Sequence, residues 1–271
     1  MLTFFLYVAC GFAAGFLRAC QGAYKDSPYE PFVLEKFLRS LFFGTLGGDF
    51  WYALHHFYGL EISPVLLIPL CVFFDSMCTE MYKRGIRVED LSKYKMPTIF
   101  HINGHIVHNR LARVGIIVVV VSVVAAMYPL SQWIFQLLHL SRFDHRVAGL
   151  VFGGMAGLMI SIGGALLDSA WEGFDHTKFF RSTYVGLFWG LIFSYFTNNP
   201  GLLIYAGLGM DRMSIEFDKT FIKRLKSGKF KSDHPTMPHW LQLREELRNP
   251  YLCVWVFFLY LLTAQTFNNI F

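Results

Sequence analysis

Of the 271 residues, 54% are hydrophobic and 18% aromatic, while only 16% are charged, against about a quarter in a soluble domain. That composition, with a mean hydropathy of +0.41, excludes an ordinary water-soluble enzyme or binding module and leaves no sizeable soluble domain over. The formal net charge of +5 has no nucleic-acid motif beside it, so it is read as a membrane-topology signal and nucleic acid is not expected as a partner.

Apolar runs near the ~20 residues that a helix needs to cross hydrocarbon recur along the chain. Span 1 covers 2–24 and carries Gly11-x3-Gly15, a spacing that lets helices approach closely in lipid. It lacks the positive n-region of a secretory signal and is read as a structural span. Arg18 lies inside it and calls for an explanation. In the elbow that follows, KDSPYEPFVLEK, Pro28 and Pro31 forbid a continuous helix. Span 2 covers 37–58, with Gly44, Gly47 and Gly48 on its path. Span 3 starts near Leu60 and stays apolar to Phe74, after which Asp75, Glu80 and Lys83 appear. A polar segment over 83–113 holds three histidines and Met96-Pro97. The β-branched run of span 4, over 114–137, must be helical in lipid to satisfy its backbone. Beyond the charged turn SRFDHR come span 5 over 147–167, span 6 over 179–196, span 7 over 201–217 and span 8 over 251–267.

The chain repeats itself. Shifted by 142 positions, residues 11–44 lie without a gap on 153–186, and fourteen of the 34 positions are identical, among them Gly11/Gly153, Gly15/Gly157, Asp26/Asp168, Glu30/Glu172, Arg39/Arg181 and Gly44/Gly186. Further on, at an offset of 136, Asp75, Glu80 and Lys83 match Asp211, Glu216 and Lys219, and Met96-Pro97 has a counterpart in Met237-Pro238. Self-similarity at a fixed offset marks a repeat architecture. The sequence therefore predicts an all-α integral membrane protein of about eight transmembrane helices, with repeat one over 1–140 (spans 1 to 4) and repeat two over 141–271 (spans 5 to 8). An even number of spans per repeat gives both copies one orientation, related by a pseudo-twofold axis along the membrane normal. All but four of the 24 Lys and Arg residues (Arg18, Arg142, Arg146, Arg212) fall on or beside the face that holds the elbows and long polar segments. That bias puts the face in the cytoplasm and both termini on the opposite side.

The strongest candidates for function are Asp75 and Asp211, ten to fifteen residues into spans 3 and 7, or roughly 15 to 22 Å deep at the helical rise. Ionisable groups at membrane depth usually mark an ion or proton path. The competing reading pairs them at the interface with Lys83, Lys219 or the elbow arginines. Glu80 with Lys83 and Glu216 with Lys219 stand at i,i+3, as local ion pairs or as a vestibule for a charged solute. The elbow set Asp26, Glu30, Arg39, Asp168, Glu172 and Arg181 groups carboxylates that suit a hard cation, or that anchor the basic start of the next helix. His101, His105 and His108 share one face if their segment is helical, which makes them weak candidates for metal ligands. Repeat two has no counterpart for them. The five cysteines sit in or beside apolar runs and read as small core residues. No P-loop, GxSxG, HExxH or dinucleotide motif is present, and no cofactor is predicted.

These features predict a channel or transporter for a small cation or a proton-coupled small solute, with its pathway at the seam between the repeats. A structural or assembly subunit of a larger membrane complex is the alternative, and a lipid-modifying membrane enzyme the third reading. The partners expected are the bilayer, the small solute and, for the alternative, other membrane subunits.

Overall fold

A computed structural model describes residues 1–26, 29–87, 98–102, 104–223 and 240–270. Among them are eight α-helices: α1 (Leu2–Asp26), α2 (Leu34–Tyr58), α3 (Pro64–Met81), α4 (Arg110–Leu137), α5 (His145–Glu172), α6 (His176–Phe193), α7 (Pro200–Phe217) and α8 (Trp240–Ile270). One antiparallel hairpin, β1 (His101–Ile102) with β2 (His105–Ile106), precedes α4. Each predicted span overlaps a helix, although spans 2, 6 and 7 are not among the described stretches that qualify as membrane crossings. Among the described residues, five stretches are long and apolar enough to cross a membrane: Leu2–Asp26, Pro64–Ile86, Arg110–Leu137, His145–Leu167 and Glu245–Phe267. The outer face of α4 is a row of exposed valines, with Val118 at 60% and Val119 at 61%. An apolar face of that length is a liability in water and an asset in hydrocarbon.

Local chemistry sets the helix ends. Asn109, Asp144, Asp175 and Asn199 each turn a side-chain oxygen to the backbone N–H groups that open α4, α5, α6 and α7. Arg146 donates to the exposed Asp144 carboxylate at 2.9 Å, which holds that carboxyl well below the usual range. Helices α3 and α7 both open on a proline, whose missing N–H costs nothing in a first turn. Both run on into a five-residue π-helical segment, Tyr82–Ile86 and Asp218–Ile222, a rare conformation. Each of these four bounds recurs 136 residues later.

The chain divides into two compact units, Met1–Ser76 with Arg212–Phe271, and Met77–Asp211. This division differs from the sequence halves 1–140 and 141–271, because α8 belongs to the first unit and α4 to the second.

In the first unit α1 and α2 meet through glycines. A Cβ on Gly11 would lie 2.6 Å from the Gly44 carbonyl oxygen and 2.9 Å from the Gly48 nitrogen, so the backbones pack at a distance only glycine permits. Residues Val65 to Ile68 and Leu70 to Val72 of α3 are all fully buried, as a helix apolar on every side must be. Helix α8 packs on α1, and its Gln265 accepts from Ser63 Oγ at 2.7 Å and the Val65 N–H at 3.3 Å, tying down the start of α3.

The second unit repeats the pattern. A Cβ on Gly153 would lie 2.7 Å from Gly190 Cα, and one on Gly157 2.7 Å from Thr183 Cα, so α5 and α6 cross through the same kind of seam. Helix α7 is buried from Leu202 to Ala206. Helix α4 holds the start of α7: Gln132 donates to Asn199 Oδ1 at 3.2 Å, and Asn199 donates to Tyr128 Oη at 2.9 Å. Tyr205 in turn donates to the Val124 carbonyl at 2.7 Å.

Candidate functional site

Asp75 and Asp211 each lie eleven residues past the opening proline of their helix, about 17 Å along at 1.5 Å per residue. Both are buried: Asp75 is 0% exposed and Asp211 2%. Asp75 belongs to the first unit and Asp211 to the second.

The first unit surrounds Asp75 with a continuous file of polar side chains. Arg18 Nε stands 3.5 Å from Asp75 Oδ2. Arg18 Nη1 donates to Gln21 Oε1 at 2.9 Å, and Gln21 Nε2 donates to Glu216 Oε2 at 2.9 Å. Lys25 Nζ donates to the same Glu216 oxygen at 2.9 Å, while Arg212 Nη1 lies 3.8 Å from Oε1. Arg212, Lys25, Lys219 and Arg18 all act electrostatically on Glu216. Two helical stripes make this possible. Arg18, Gln21 and Lys25 stand at i, i+3 and i+7 on α1, and Arg212 and Glu216 at i and i+4 on α7, with Lys219 in the π-helical turn beyond, so each set shares a face.

The file has a direction. Arg18, Gln21, Asp75 and Glu216 are buried, but the Lys25 side chain is 24% exposed and that of Arg212 41%. It runs from the interior of the unit at Asp75 to the surface at the end of α1. Aromatic rings pack beside its outer end: Phe221 meets Tyr24 at 4.6 Å and Tyr251 at 4.3 Å between centroids, and Tyr251 is fully buried.

Glu80, which matches Glu216 at an offset of 136 in the sequence, has Lys83 at 3.6 Å and Arg84 at 3.2 Å on its own helical segment, with about a third of its side chain exposed. Lys219 acts electrostatically on Glu216, to which Lys25 donates. In the first elbow Glu30 is buried and ion-paired with Lys36, the Asp26 carbonyl accepts the Glu30 N–H at 3.0 Å, and Arg39 is half-buried. In the second elbow Asp168 and Glu172 fall near the end of α5, with side chains that lie outside the described residues, and Arg181 is half-buried in α6. Ser27, Met96-Pro97 and Met237-Pro238 also lie outside the described residues.

The histidine trio is where the structure corrects the expected geometry. It sits on the hairpin and the loop after it, because Gly104, at φ +82°, turns the chain back and interrupts any helix. His101 is buried, with Nδ1 2.9 Å from the Ile99 carbonyl and Nε2 3.0 Å from the Leu167 carbonyl, whereas His105 and His108 are exposed. Among the described residues no three His, Cys, Asp or Glu side chains gather as a metal site would need.

Gln21, Lys25 and Arg212 are site residues that the sequence reading passed over, and Arg18 it left unexplained. A signal was present in the repeat: at an offset of 142 the counterparts of Arg18, Gln21 and Lys25 are Ile160, Gly163 and Leu167. A polar stripe in one copy that is apolar in the other is a departure from what the shared fold needs. Comparison with models of protein families, with curated proteins and with solved structures found no match for the chain.

Proposed function

We propose that the chain is a tandem-duplicated membrane channel or transporter of eight spans, that it passes a small cation or a proton-coupled small solute, and that Asp75 and Asp211, with Glu216 and the side chains that join it to Asp75, handle the charge. The observation that carries this reading is a file in which two carboxylates, one amide and Arg18 are buried and two further cations, Lys25 and Arg212, stand toward the surface. Each charged group at the centre of a span costs about 2.5–3.5 kcal/mol on insertion scales, and groups retained at that cost usually serve an ion or proton path. The duplication is supported by the residue identities, by the recurrence of the α3 and α7 bounds with their π-helical ends, and by the two glycine seams. Four spans per repeat give parallel copies with both termini on the non-cytoplasmic side, in keeping with the basic residues of the elbows.

The experiment is ion flux into vesicles that hold the purified full chain, with Asp75→Asn and Asp211→Asn each expected to abolish it. Unchanged flux in the double variant removes these residues from the mechanism.

A structural or assembly subunit is the second reading. The observation in its favour is that both carboxylates of the file have cations at ion-pair distance, as an internal staple would. Purification in mild detergent separates the two: a protein that always comes out with stoichiometric partners supports the subunit, and one that comes out alone supports the transporter.

A further inference from the structure

Resting on that reading, we propose that the charge carrier is the proton, that Asp75 is the group that takes it up and releases it, and that Arg18 is the residue that keeps metal cations away from it.

The surroundings of Asp75 suit one kind of cation and not another. A hard metal ion is held by six to eight oxygen ligands that supply negative charge. Asp75 instead has a guanidinium 3.5 Å from its carboxylate, and the file leading to it adds Lys25 and Arg212. A sodium or calcium ion entering from the exposed end would pass these positive groups and arrive at a carboxylate already neutralised. A proton needs neither coordination space nor a second anion. It adds to a carboxylate oxygen and turns the anion into a neutral acid.

The charged and titratable groups around the file come from four helices. Helix α1 gives Arg18 and Lys25, with Gln21 between them, and α7 with its π-helical end gives Arg212, Glu216 and Lys219. Tyr251 of α8 lies in electrostatic range of Arg18 and Glu216, and Asp49 of α2 acts on Cys71, one helical turn before Asp75.

The step balances as a simple transfer. A hydronium ion in the adjoining water gives up a proton: its O–H bond breaks, an O–H bond forms on one Asp75 carboxylate oxygen, a water molecule is left behind, and the carboxylate charge is lost. The guanidinium stays protonated throughout. It loses its ionic partner at Asp75 and keeps its hydrogen bond to Gln21, whose amide already reaches Glu216. On release the Asp75 O–H bond breaks, the proton passes to a water molecule as hydronium, and the ion pair forms again. No metal ion takes part.

The duplication sharpens the assignment. At the positions that match Arg18, Gln21 and Lys25, helix α5 carries Ile160, Gly163 and Leu167. Asp75 and Asp211 are copies in sequence, yet only the first has this cationic stripe on the first helix of its own repeat. The carrier proposed at Asp75 lies within the first unit.

The test uses vesicles of neutral lipid containing the purified full chain, loaded in one set with a pH-sensitive dye and in another with a sodium-sensitive dye. An inside-negative potential is expected to acidify the wild-type vesicles while sodium entry stays at the level of protein-free vesicles. Arg18→Gln is expected to admit sodium, because the guanidinium that opposes a metal cation is then gone. The paired variant Asp75→Asn with Arg18→Gln removes both charges of the pair together and is expected to fold, to lose proton uptake to the protein-free level, and to admit no sodium. Sodium entry without acidification in the wild type overturns the proton assignment and leaves the transport reading in place. Acidification that persists in the paired variant overturns the role of Asp75. Neither signal in the wild type overturns both.

Discussion

Arg18, inside α1, stands 3.5 Å from Asp75, inside α3, with 8% and 0% of their side chains exposed. The residue that looked out of place in span 1 is the counter-ion of the best acidic candidate in span 3. Losing either partner alone leaves a buried charge, and such losses usually cost about 3–5 kcal/mol, whereas replacing both with neutral residues is often tolerated. Asp75→Asn alone and Arg18→Gln alone are expected to lower the unfolding midpoint in detergent, and the double substitution to recover most of the loss. Equal and additive losses across the three variants would show that the two side chains do not interact.

The two glutamates that match at an offset of 136, Glu80 and Glu216, are expected to differ. Glu216 is buried and accepts hydrogen bonds from both Gln21 and Lys25, while Glu80 makes partly exposed contacts with Lys83 and Arg84. Glu216→Gln should destabilise by about 3–5 kcal/mol, and Glu80→Gln by less than about 1 kcal/mol. Chemical denaturation of the two variants under one condition checks the order. A larger effect at Glu80 would contradict the structure.

The glycine seams allow a matched comparison within one helix. A side chain on Gly153 meets the backbone of α6, whereas a Cβ on Gly163 of the same helix meets nothing within 4 Å. Gly153→Val is expected to destabilise by about 1–3 kcal/mol, since backbone on backbone cannot relax cheaply. Gly163→Ala should instead be neutral, or stabilising by up to about 1 kcal/mol through helix propensity. Thermal unfolding of both variants is the check.

His101 bridges two carbonyl groups, those of Ile99 and Leu167. His101→Ala leaves a buried acceptor unsatisfied and is expected to cost about 1–3 kcal/mol. His105→Ala, at an exposed position, should be within about 0.5 kcal/mol of the parent. Comparable losses at both positions would argue that the hairpin histidines act as a set.

Much of this architecture was legible in the residues, for physical reasons. Long apolar runs can only be helices in lipid, and the glycines at 11, 15 and 44 with their copies at 153, 157 and 186 announced close helix contacts that the structure places between α1 and α2 and between α5 and α6. The depth of Asp75 and Asp211 followed from counting along a helix. Their partners did not. Periodicity tells which residues share a face but not which helix that face meets, so Arg18 stayed unexplained and Gln21, Lys25 and Arg212 were passed over. Pairing Glu216 with Lys219 by i,i+3 spacing named one of the cations that act on it and missed Lys25, which donates to it from another helix. The histidines misled because H-x3-H-x2-H also fits a hairpin when a glycine with positive φ stands between the first two. The placement of α4 and α8 in different compact units from their own repeats rests on tertiary contacts that no sequence offset encodes.

The most direct measurement is the rate at which an imposed potential acidifies vesicles carrying the full chain, set beside vesicles carrying the Asp75→Asn, Arg18→Gln pair and vesicles without protein. Uptake in the wild type alone, with the paired variant folded and indistinguishable from bare lipid, is the result expected if the buried file carries charge. A wild type that acidifies no faster than bare lipid would contradict it and leave Arg18 and Asp75 as a staple in a membrane scaffold.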